Sequence, residues 1–332
     1  MKALQIFQAG ECRIVDLPRP SLHSGEVLLR LRYVGFCGSD LNTFRGANNM
    51  VTFPRIPGHE IGAVIEGWAP DVPDGLSVGQ VVTVNPYTNC GKCASCRRGR
   101  VNACEHNETL GVQRDGAMAE YIAVPWQKVM PCPGISVRDA ALIEPMSVGF
   151  HAVSRGRVQK DDVVMVVGCG MVGLGAVVAA VQRGADVIAA DIDDDKLKIA
   201  LALGAKYTYN TISGEGCDIC PDVIIEAVGS VPTYRLALER VAFTGRVVCI
   251  GYAKTDVPLQ TGLIVKKELD VMGTRNADPA DFCAVMEYVR AHDVEQFISG
   301  IIEPEDAQKT LEEWSAAPGR VFRILTKWNT ES

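Results

Sequence analysis

The pattern of apolar and polar positions divides the chain into two parts. Up to about residue 146, short runs of alternating apolar and polar residues end at turns that contain glycine or proline. Strands with one buried face have this period of two, so we expect an irregular, mostly antiparallel barrel. The predicted strands include 2–7, 26–34, 60–66 and 80–84.

From about residue 147, apolar strands alternate with longer helical segments. A strand whose residues are all apolar is expected to be buried on both faces. A chain in which such strands and helices follow one another in turn is typical of a doubly wound parallel sheet. The sequence predicts strands at 163–167, 186–190, 222–226 and 246–251, and helices that begin near Gly173, Asp195 and Val231.

The end of the chain is expected to return to the first domain. A helix at 279–291 and a strand at 320–327 follow the second pattern. With 332 residues, of which 47% are hydrophobic, the chain is long enough for two cores. We therefore predict an α/β protein with one domain at 1–146 and 277–332 and another at 147–276.

A glycine-rich turn follows the predicted strand 163–167. In Gly168-x-Gly170-x-x-Gly173, the first glycine allows a tight turn, the second allows a pyrophosphate to approach the backbone, and the third allows the helix to pack on the strand. Asp191 ends the next strand, where an acid can bind the adenosine ribose. The uncharged stretch 163–181 is long enough for a transmembrane helix, but its glycines favour a buried strand and helix.

The second domain is therefore expected to bind a nicotinamide dinucleotide. Asp191 accepts hydrogen bonds from ribose hydroxyls and repels a 2′-phosphate, and the next residue is Ile192 rather than arginine, which favours NAD over NADP. The predicted cofactor-binding residues are Gly168, Gly170, Met171, Val172, Gly173, Asp191, Ile192, Lys196, Val228, Ile250, Gly251 and Arg275.

Four cysteines lie within a short lobe at about 86–106. Cys90, Cys93, Cys96 and Cys104 have the spacing of four thiolates that close a tetrahedral shell around one Zn²⁺, a structural site with no open position. Disulfides are the alternative, but nothing in the first residues resembles a secretory signal. We name residues 86–106 the zinc lobe.

A second possible metal site combines Cys37, His59 and Glu144. A thiolate, an imidazole and a carboxylate suit Zn²⁺ and leave a fourth position for water or substrate. Asp40 is a candidate acceptor for the second ring N–H of His59. Each of these residues, taken alone, also has a common interpretation other than metal binding. A single cysteine is most often a small buried apolar residue, a single histidine is more often hydrogen-bonded than bound to metal, and a single glutamate is usually exposed to solvent.

Charge and cysteine content exclude some functions. The net charge of −7 argues against a nucleic-acid surface. Lys92, Arg97, Arg98 and Arg100 form a basic group on the zinc lobe, which we interpret as a solvated surface. The 12 cysteines, together with the absence of a signal, suit a reducing cytoplasm, and no membrane partner is expected.

The motifs together resemble the zinc-dependent medium-chain alcohol dehydrogenase superfamily, in the sorbitol dehydrogenase and sugar-acid (L-gulonate or L-galactonate 5-dehydrogenase-like) branch. The resemblance covers essentially the whole chain. The segments that carry it are Val-Gly-Phe-Cys-Gly-Ser-Asp at 34–40, Gly-His-Glu at 58–60, the four-cysteine spacing, and Ala-Leu-Ile-Glu-Pro-Met-Ser-Val-Gly-Phe-His-Ala at 141–152.

The resemblance implies a GroES-like catalytic domain, a Rossmann domain, two Zn²⁺ per chain and a homodimer or homotetramer. It implies that Cys37, His59 and Glu144 approach the catalytic zinc, with Glu60 a ligand or directly behind it. Ser39 is expected to pass a proton between substrate and cofactor. Relatives often have a histidine at the position of Asn42, and an amide cannot titrate, so the outer proton path differs here.

The implied function is the reversible NAD-linked oxidation of a secondary alcohol of a polyol or sugar acid to the ketone. Arg45, Arg114 and Arg275 are candidates for binding a substrate carboxylate. The alternatives are a threonine or 2,3-butanediol-type dehydrogenase and, more distantly, a catalytically idle oxidoreductase-like binding protein. A zinc-ribbon interaction module would explain only the zinc lobe.

Overall fold

The computed structural model describes residues 1–329, apart from the side chain of Arg320. The chain forms two compact units, Met1–Glu144 together with the segment from Phe282 onward, and Pro145–Asp281. The boundaries predicted after residues 146 and 276 lie a few residues from these divisions. The last three residues of the predicted first domain, 330–332, are outside the described residues.

The elements follow the chain in this order. The strands are β1 (Lys2–Gln8), β2 (Glu11–Asp16), β3 (Glu26–Phe36), β4 (Glu60–Trp68), β5 (Val81–Val84), β6 (Tyr121–Pro125), β7 (Val129–Pro131), β8 (Val163–Val167), β9 (Asp186–Asp191), β10 (Tyr207–Asn210), β11 (Val223–Glu226), β12 (Arg246–Cys249), β13 (Asp270–Gly273), β14 (Gly300–Ile302) and β15 (Ile324–Lys327). The α-helices are α1 (Gly38–Phe44), α2 (Ala94–Arg97), α3 (Val137–Ala140), α4 (Ile143–Arg155), α5 (Met171–Gln182), α6 (Asp194–Ala202), α7 (Val231–Arg240), α8 (Thr261–Lys267), α9 (Pro279–Ala291) and α10 (Ala307–Ala316).

The first unit is built on a sheet in the order β14-β15-β3-β4-β5-β7, with β6 also paired to β3 and with β1 and β2 paired separately. All of these pairs are antiparallel except β14 with β15. Leu29, Leu31, Ile61 and Ile65 are almost fully buried and belong to the hydrophobic core of this unit. Parts of β3 and β4 are buried at consecutive positions, so these strands depart from the strict period of two expected for a sheet with one buried face.

The second unit contains a six-stranded parallel sheet in the order β10-β9-β8-β11-β12-β13. Val164, Val166, Ile188, Ile224 and Val247 are almost fully buried, because helices lie on both faces of such a sheet. The strand order reverses between β8 and β11, as in doubly wound dinucleotide-binding folds. The predicted fold class is confirmed for both parts of the chain.

Some predicted boundaries are wrong for local reasons. Strand β12 ends at Cys249 rather than at residue 251, so Ile250 and Gly251 belong to the loop that follows it. Helix α5 begins at Met171, before Gly173, because Gly170 is the N-cap residue. The last strand begins at Ile324 rather than at residue 320, because a 3₁₀ turn at Pro318–Arg320 precedes it.

The uncharged stretch 163–181 is divided between β8 and α5. Across residues 1–329, no helix has the length and apolar character needed to cross a membrane.

Candidate active site and metal centres

The four cysteines of the zinc lobe converge. One ligand atom from each of Cys90, Cys93, Cys96 and Cys104 lies within 4.8 Å of the others. The backbone N–H of Cys90 points at the Cys104 sulfur at 3.3 Å, and that of Cys93 at the Cys90 sulfur at 3.4 Å. Backbone N–H groups that face sulfur stabilise thiolates, and four thiolates fit a tetrahedral Zn²⁺.

Cys37, His59 and Glu60 form a second group, which we call the Cys37 cluster. Their ligand atoms lie within 4.8 Å of one another, and all three belong to the first unit. Burial would raise the pKa of the Cys37 thiol, but the hydrogen bond with His59 and the charges of His59 and Arg323 outweigh it and lower this pKa to about 7. A cluster of thiolate, imidazole and carboxylate suits a Zn²⁺ site with an open position.

Asp40 joins the two loops that carry these residues. Its carboxylate accepts hydrogen bonds from the backbone N–H groups of Cys37, at 2.8 Å, and Gly58, at 3.3 Å. The expected hydrogen bond from His59 to Asp40 is not made: among the described residues, the buried Nδ1 of His59 has no hydrogen-bond partner. Asp40 therefore positions the backbone of both ligand loops rather than the imidazole ring.

Glu60 is completely buried at the start of β4 and forms an ion pair with Arg323, whose Nε lies 2.9 Å from Oε2. Arg323 Nη1 also donates to the carbonyl of Phe36 at 2.6 Å. Opposite Glu60 on β3 is Gly35, where a Cβ would lie 2.2 Å from the Glu60 carboxylate. A glycine is therefore needed at position 35 for the Glu60 side chain to occupy this site.

Glu144, in the first turn of α4, is only 3% exposed. The Tyr87 hydroxyl donates a hydrogen bond to its Oε1. Burial, followed by the charge of Glu144 and this hydrogen bond, raises the pKa of Tyr87 well above its usual value. Within residues 1–329, the group whose ligand atoms lie within 4.8 Å of one another contains Glu60 with Cys37 and His59, and does not contain the predicted ligand Glu144.

The remaining predicted residues of the first unit have different environments. Ser39 lies on α1, and its buried hydroxyl has no hydrogen-bond partner in the described part of the chain. Asn42 lies one turn further along the same helix and is partly buried. Arg45 donates from Nε to the Ser315 hydroxyl at 2.8 Å, so it links α1 to α10 and is not directed toward a substrate carboxylate. Arg114 is partly buried, and this burial lowers its pKa.

The glycine-rich turn has the expected geometry. A Cβ on Gly173 would lie 1.7 Å from the carbonyl oxygen of Gly168, whereas a Cβ on Gly170 would have no atom within 4 Å. The third glycine thus allows close packing of α5, and the second leaves open space beside the helix N-terminus. This open cradle lies at a helix N-terminus, where the first backbone N–H groups have no intrahelical acceptor, and it fits a pyrophosphate.

Asp191 ends β9 and contacts the same turn. Its Oδ2 accepts from the backbone N–H of Cys169 at 2.6 Å, and Oδ1 accepts from Ile192 at 2.8 Å and Asp193 at 3.1 Å. Ile192 is 63% exposed. These contacts place a carboxylate beside the turn, with no arginine at the adjacent position.

The other predicted cofactor residues follow the carboxyl ends of the parallel strands. Met171 and Val172 open α5, Lys196 lies on α6, Val228 follows β11, Ile250 and Gly251 follow β12, and Arg275 follows β13. Ligands of open α/β sheets bind at this edge. Glu226, which the sequence did not indicate, is fully buried and accepts from the backbone N–H groups of Val228 at 3.0 Å and Gly229 at 2.8 Å.

A third group consists of His151, Asp278 and Asp281 in the second unit. His151 Nδ1 lies 2.7 Å from Asp281 Oδ2. Each aspartate carboxylate accepts from the backbone N–H of the other at the start of α9: Asp281 Oδ2 from Asp278 at 3.0 Å and Asp278 Oδ1 from Asp281 at 3.3 Å. Helix capping therefore accounts for the proximity of the two aspartates.

Sequence reasoning missed Tyr87, Arg323 and Glu226. Tyr87 is near the cysteines, but no spacing rule connects it to Glu144. Arg323 is separated from Glu60 by most of the chain and reaches it because β15 pairs with β3, which pairs with β4. The only sequence signal for Arg323 is a cation within a run of apolar residues, where a buried charge requires a partner.

Comparison with known proteins identifies the family. Residues 23–134 match the alcohol dehydrogenase GroES-like domain, and residues 171–291 match the zinc-binding dehydrogenase model. L-galactonate-5-dehydrogenase of Escherichia coli (strain K12) is 33% identical over 81% of this chain and 81% of its own length. Sorbitol dehydrogenase of Bacillus subtilis (strain 168) is 34% identical over 82% of this chain and 81% of its own length.

The crystal structure of galactitol-1-phosphate dehydrogenase from Escherichia coli superimposes with a TM-score of 0.90, at 28% identity, and covers 98% of this chain and 100% of that chain. The resemblance predicted from the motifs is confirmed. The chain therefore belongs to the zinc-dependent medium-chain alcohol dehydrogenases, in the branch that contains polyol and sugar-acid dehydrogenases.

Proposed function

We propose that the protein catalyses the reversible NAD-linked oxidation of a secondary alcohol of a polyol or sugar acid to the ketone. The observation that carries this proposal is the Cys37 cluster, a partly buried thiol with a buried imidazole and a buried carboxylate, whose ligand atoms lie within 4.8 Å of one another. It lies in a chain whose relatives include an L-galactonate-5-dehydrogenase and a sorbitol dehydrogenase. The Met1–Glu144 unit with its C-terminal segment is then the catalytic domain, and Pro145–Asp281 the NAD-binding domain.

The chemistry divides between the bound groups and the protein. Zinc supplies a Lewis acid for the alcohol oxygen, and NAD accepts the hydride. Cys37, His59 and a glutamate would hold the catalytic zinc, and the four cysteines of the zinc lobe would hold a second, structural zinc. The buried carboxylates Glu60 and Glu144 make the site polar, which suits a substrate with several hydroxyl groups.

NAD is favoured over NADP by the position of Asp191. Its carboxylate is held against the glycine-rich turn by the N–H of Cys169 at 2.6 Å. A 2′-phosphate near this fixed negative charge would be repelled, and Ile192 offers no compensating cation. Arg114 and Arg275 stay candidates for binding a substrate carboxylate.

The substrate class is tested by measuring reduction of NAD⁺ with a panel of pentitols, hexitols, inositols, hexonates, L-threonine and 2,3-butanediol. The highest kcat/KM is expected with a polyol or a hexonate. A preference for threonine or butanediol would replace the proposed substrate class with the main alternative. A protein that binds NAD⁺ and zinc but turns over no alcohol in the panel would favour the idle binding protein.

Ser39 is expected to relay the proton of the substrate. Its hydroxyl is two residues from Cys37, is buried, and lacks a hydrogen-bond partner within residues 1–329, so it is available for a substrate hydroxyl. Ser39→Ala should lower kcat about 10²-fold, in the range usual for a positioned proton-transfer group, with zinc content unchanged. Asn42→Ala, on the same helix, serves as the control and should have a mild effect. Wild-type turnover by Ser39→Ala would rule out the relay.

We also infer a homodimer or homotetramer. Among the described strands, β13 pairs on one side only, and Val271 on this strand and Val265 on α8 are exposed, the latter by 82%. Unpaired edges with apolar side chains favour association with a second copy. Light scattering of the wild-type protein should give a molar mass that is two or four times the chain mass of 35.8 kDa. The molar mass of the Val265→Lys variant should be closer to that of a single chain. A wild-type monomer at micromolar concentration would contradict this inference.

A reducing compartment, predicted as the cytoplasm, fits the cysteine chemistry. All 12 cysteines are free thiols, and five of them, Cys37 and the four of the zinc lobe, are proposed zinc ligands that must stay reduced. Fractionation of native cells tests this location, and recovery of the protein from an oxidising compartment would contradict it.

A further inference from the structure

A pair of cysteines outside both proposed zinc sites lies on a surface segment of the second unit. Cys217 and Cys220 are separated by two residues, and the segment 217–221, between β10 and β11, is neither helix nor strand. Cys220 is exposed and Cys217 is partly buried. A bond between their sulfurs would therefore not require a helix or a strand to break.

Both cysteines contact Arg240, the last residue of α7. The guanidinium of Arg240 donates from Nη2 to the backbone carbonyl of Cys217 at 3.2 Å, and the thiol of Cys220 donates to the backbone carbonyl of Arg240 at 3.2 Å. The backbone N–H of Ile219 points at the Cys217 sulfur at 3.5 Å, so this sulfur lies beside the residue that precedes Cys220. The two thiols are thus held on one short stretch of the surface.

The cysteines that are not proposed zinc ligands differ in how readily they can react. Burial raises the pKa of Cys12 and of Cys132 to about 12. It also raises the pKa of Cys249 to about 11 and that of Cys169 above its usual value. Because the thiolate is the reactive form, these four are poor nucleophiles at neutral pH. Cys283 is exposed on α9, but its nearest cysteine along the chain is Cys249, in the other unit.

We propose that Cys217 and Cys220 form a redox site, which low-molecular-mass disulfides such as glutathione disulfide convert reversibly into an intramolecular disulfide. The exposed Cys220 thiolate attacks one sulfur of glutathione disulfide, and the first glutathione leaves as a thiolate. Cys217 then loses its proton and attacks the Cys220 sulfur, which releases the second glutathione. Two cysteine thiols are oxidised while one disulfide is reduced to two thiols, so electrons and protons balance. An excess of reduced glutathione reverses both steps.

This site is independent of the proposed catalytic function, because neither cysteine is assigned to zinc, to the cofactor or to the proton relay. It is compatible with a reducing compartment, where protein disulfides are usually transient and act in redox sensing. Exposed disulfides are also the more readily reduced ones. The pair therefore fits a reversible modification rather than a structural crosslink.

The test is mass spectrometry of the zinc-loaded protein, with glutathione disulfide raised until the exposed Cys283 carries a glutathione adduct. Peptide mapping should then show that the peptide with Cys217 and Cys220 has lost two hydrogens and carries no glutathione. An excess of reduced glutathione should restore both thiols. Cys283 is the internal control, because an adduct on a single thiol stays in place. An unmodified Cys217–Cys220 pair in protein whose Cys283 carries the adduct would overturn the proposal.

Single variants show whether the two cysteines react with one another. In Cys217→Ser, no thiol is left to displace glutathione from Cys220, so the adduct on Cys220 should persist, whereas it should be absent from the wild type. Cys283→Ser is the matched control and should form the Cys217–Cys220 disulfide as the wild type does. A lasting adduct on Cys220 in the wild type, or none on Cys220 in Cys217→Ser, would overturn the proposal.

Discussion

Cys37→Ser is expected to abolish turnover, to lower the zinc content from two ions per chain to one, and to leave the fold nearly intact. The Cys37 thiol is the softest donor of its cluster. Despite the effect of burial, the hydrogen bond with His59 and the charges of His59 and Arg323 lower its pKa to about 7, which favours the thiolate that binds zinc. Loss of Lewis-acid stabilisation worth several kcal/mol corresponds to at least about a 10³-fold loss of kcat. Elemental analysis, circular dichroism and steady-state kinetics measure the three effects.

The zinc lobe is expected to respond differently. Cys93→Ser breaks a shell whose four ligand atoms lie within 4.8 Å, so the lobe loses the metal that stabilises its fold. A lower melting temperature and poor solubility should appear before any specific loss of kcat. Cys283→Ser, which removes an exposed thiol on α9, is the control and should keep both zinc ions, activity and stability. One zinc ion per chain in fully active wild-type enzyme would contradict the assignment of two sites.

Cofactor preference is the second large effect. With Asp191 intact, kcat/KM for NAD⁺ should exceed that for NADP⁺ by more than about 100-fold. NADP⁺ has a phosphate in place of the ribose 2′-hydroxyl, so it loses the hydrogen bond to Asp191 and its phosphate is repelled by the carboxylate. Asp191→Ala combined with Ile192→Arg should move the preference toward NADP⁺. The structure adds a consequence: Asp191 also accepts from Cys169 N–H, so the variant should bind NAD⁺ more weakly through a loosened glycine-rich turn.

The matched control for this prediction is Asp193→Asn. It removes a neighbouring negative charge but keeps an oxygen that can accept from Asp195 N–H at the start of α6. The preference for NAD⁺ should therefore stay close to wild type. Equal kcat/KM for the two cofactors in the wild-type enzyme would show that Asp191 does not discriminate between them.

Local spacing made several features predictable from the sequence. The four cysteines of the zinc lobe converge within one short segment, and the close contact in the glycine-rich turn is also made within one, between Gly168 and Gly173. Both features could therefore be predicted from the spacing of residues along the chain. The continuous apolar strands of the second unit were predicted for the same reason, and β8 at Val163–Val167 is confirmed. Short elements such as β7 and β14 were not predicted, because three residues cannot display a periodic pattern.

Residue types and their local spacing were enough to identify the family, the fold class and the side chains available for metal and cofactor binding. How those side chains are paired depends on contacts between distant segments. Strand pairing of β15 with β3 and β4 brings Arg323 to Glu60, and the bridge at the base of the zinc lobe brings Tyr87 to Glu144. No local pattern encodes such contacts, because the pairing of a buried charge depends on which distant segment the sheet register places beside it.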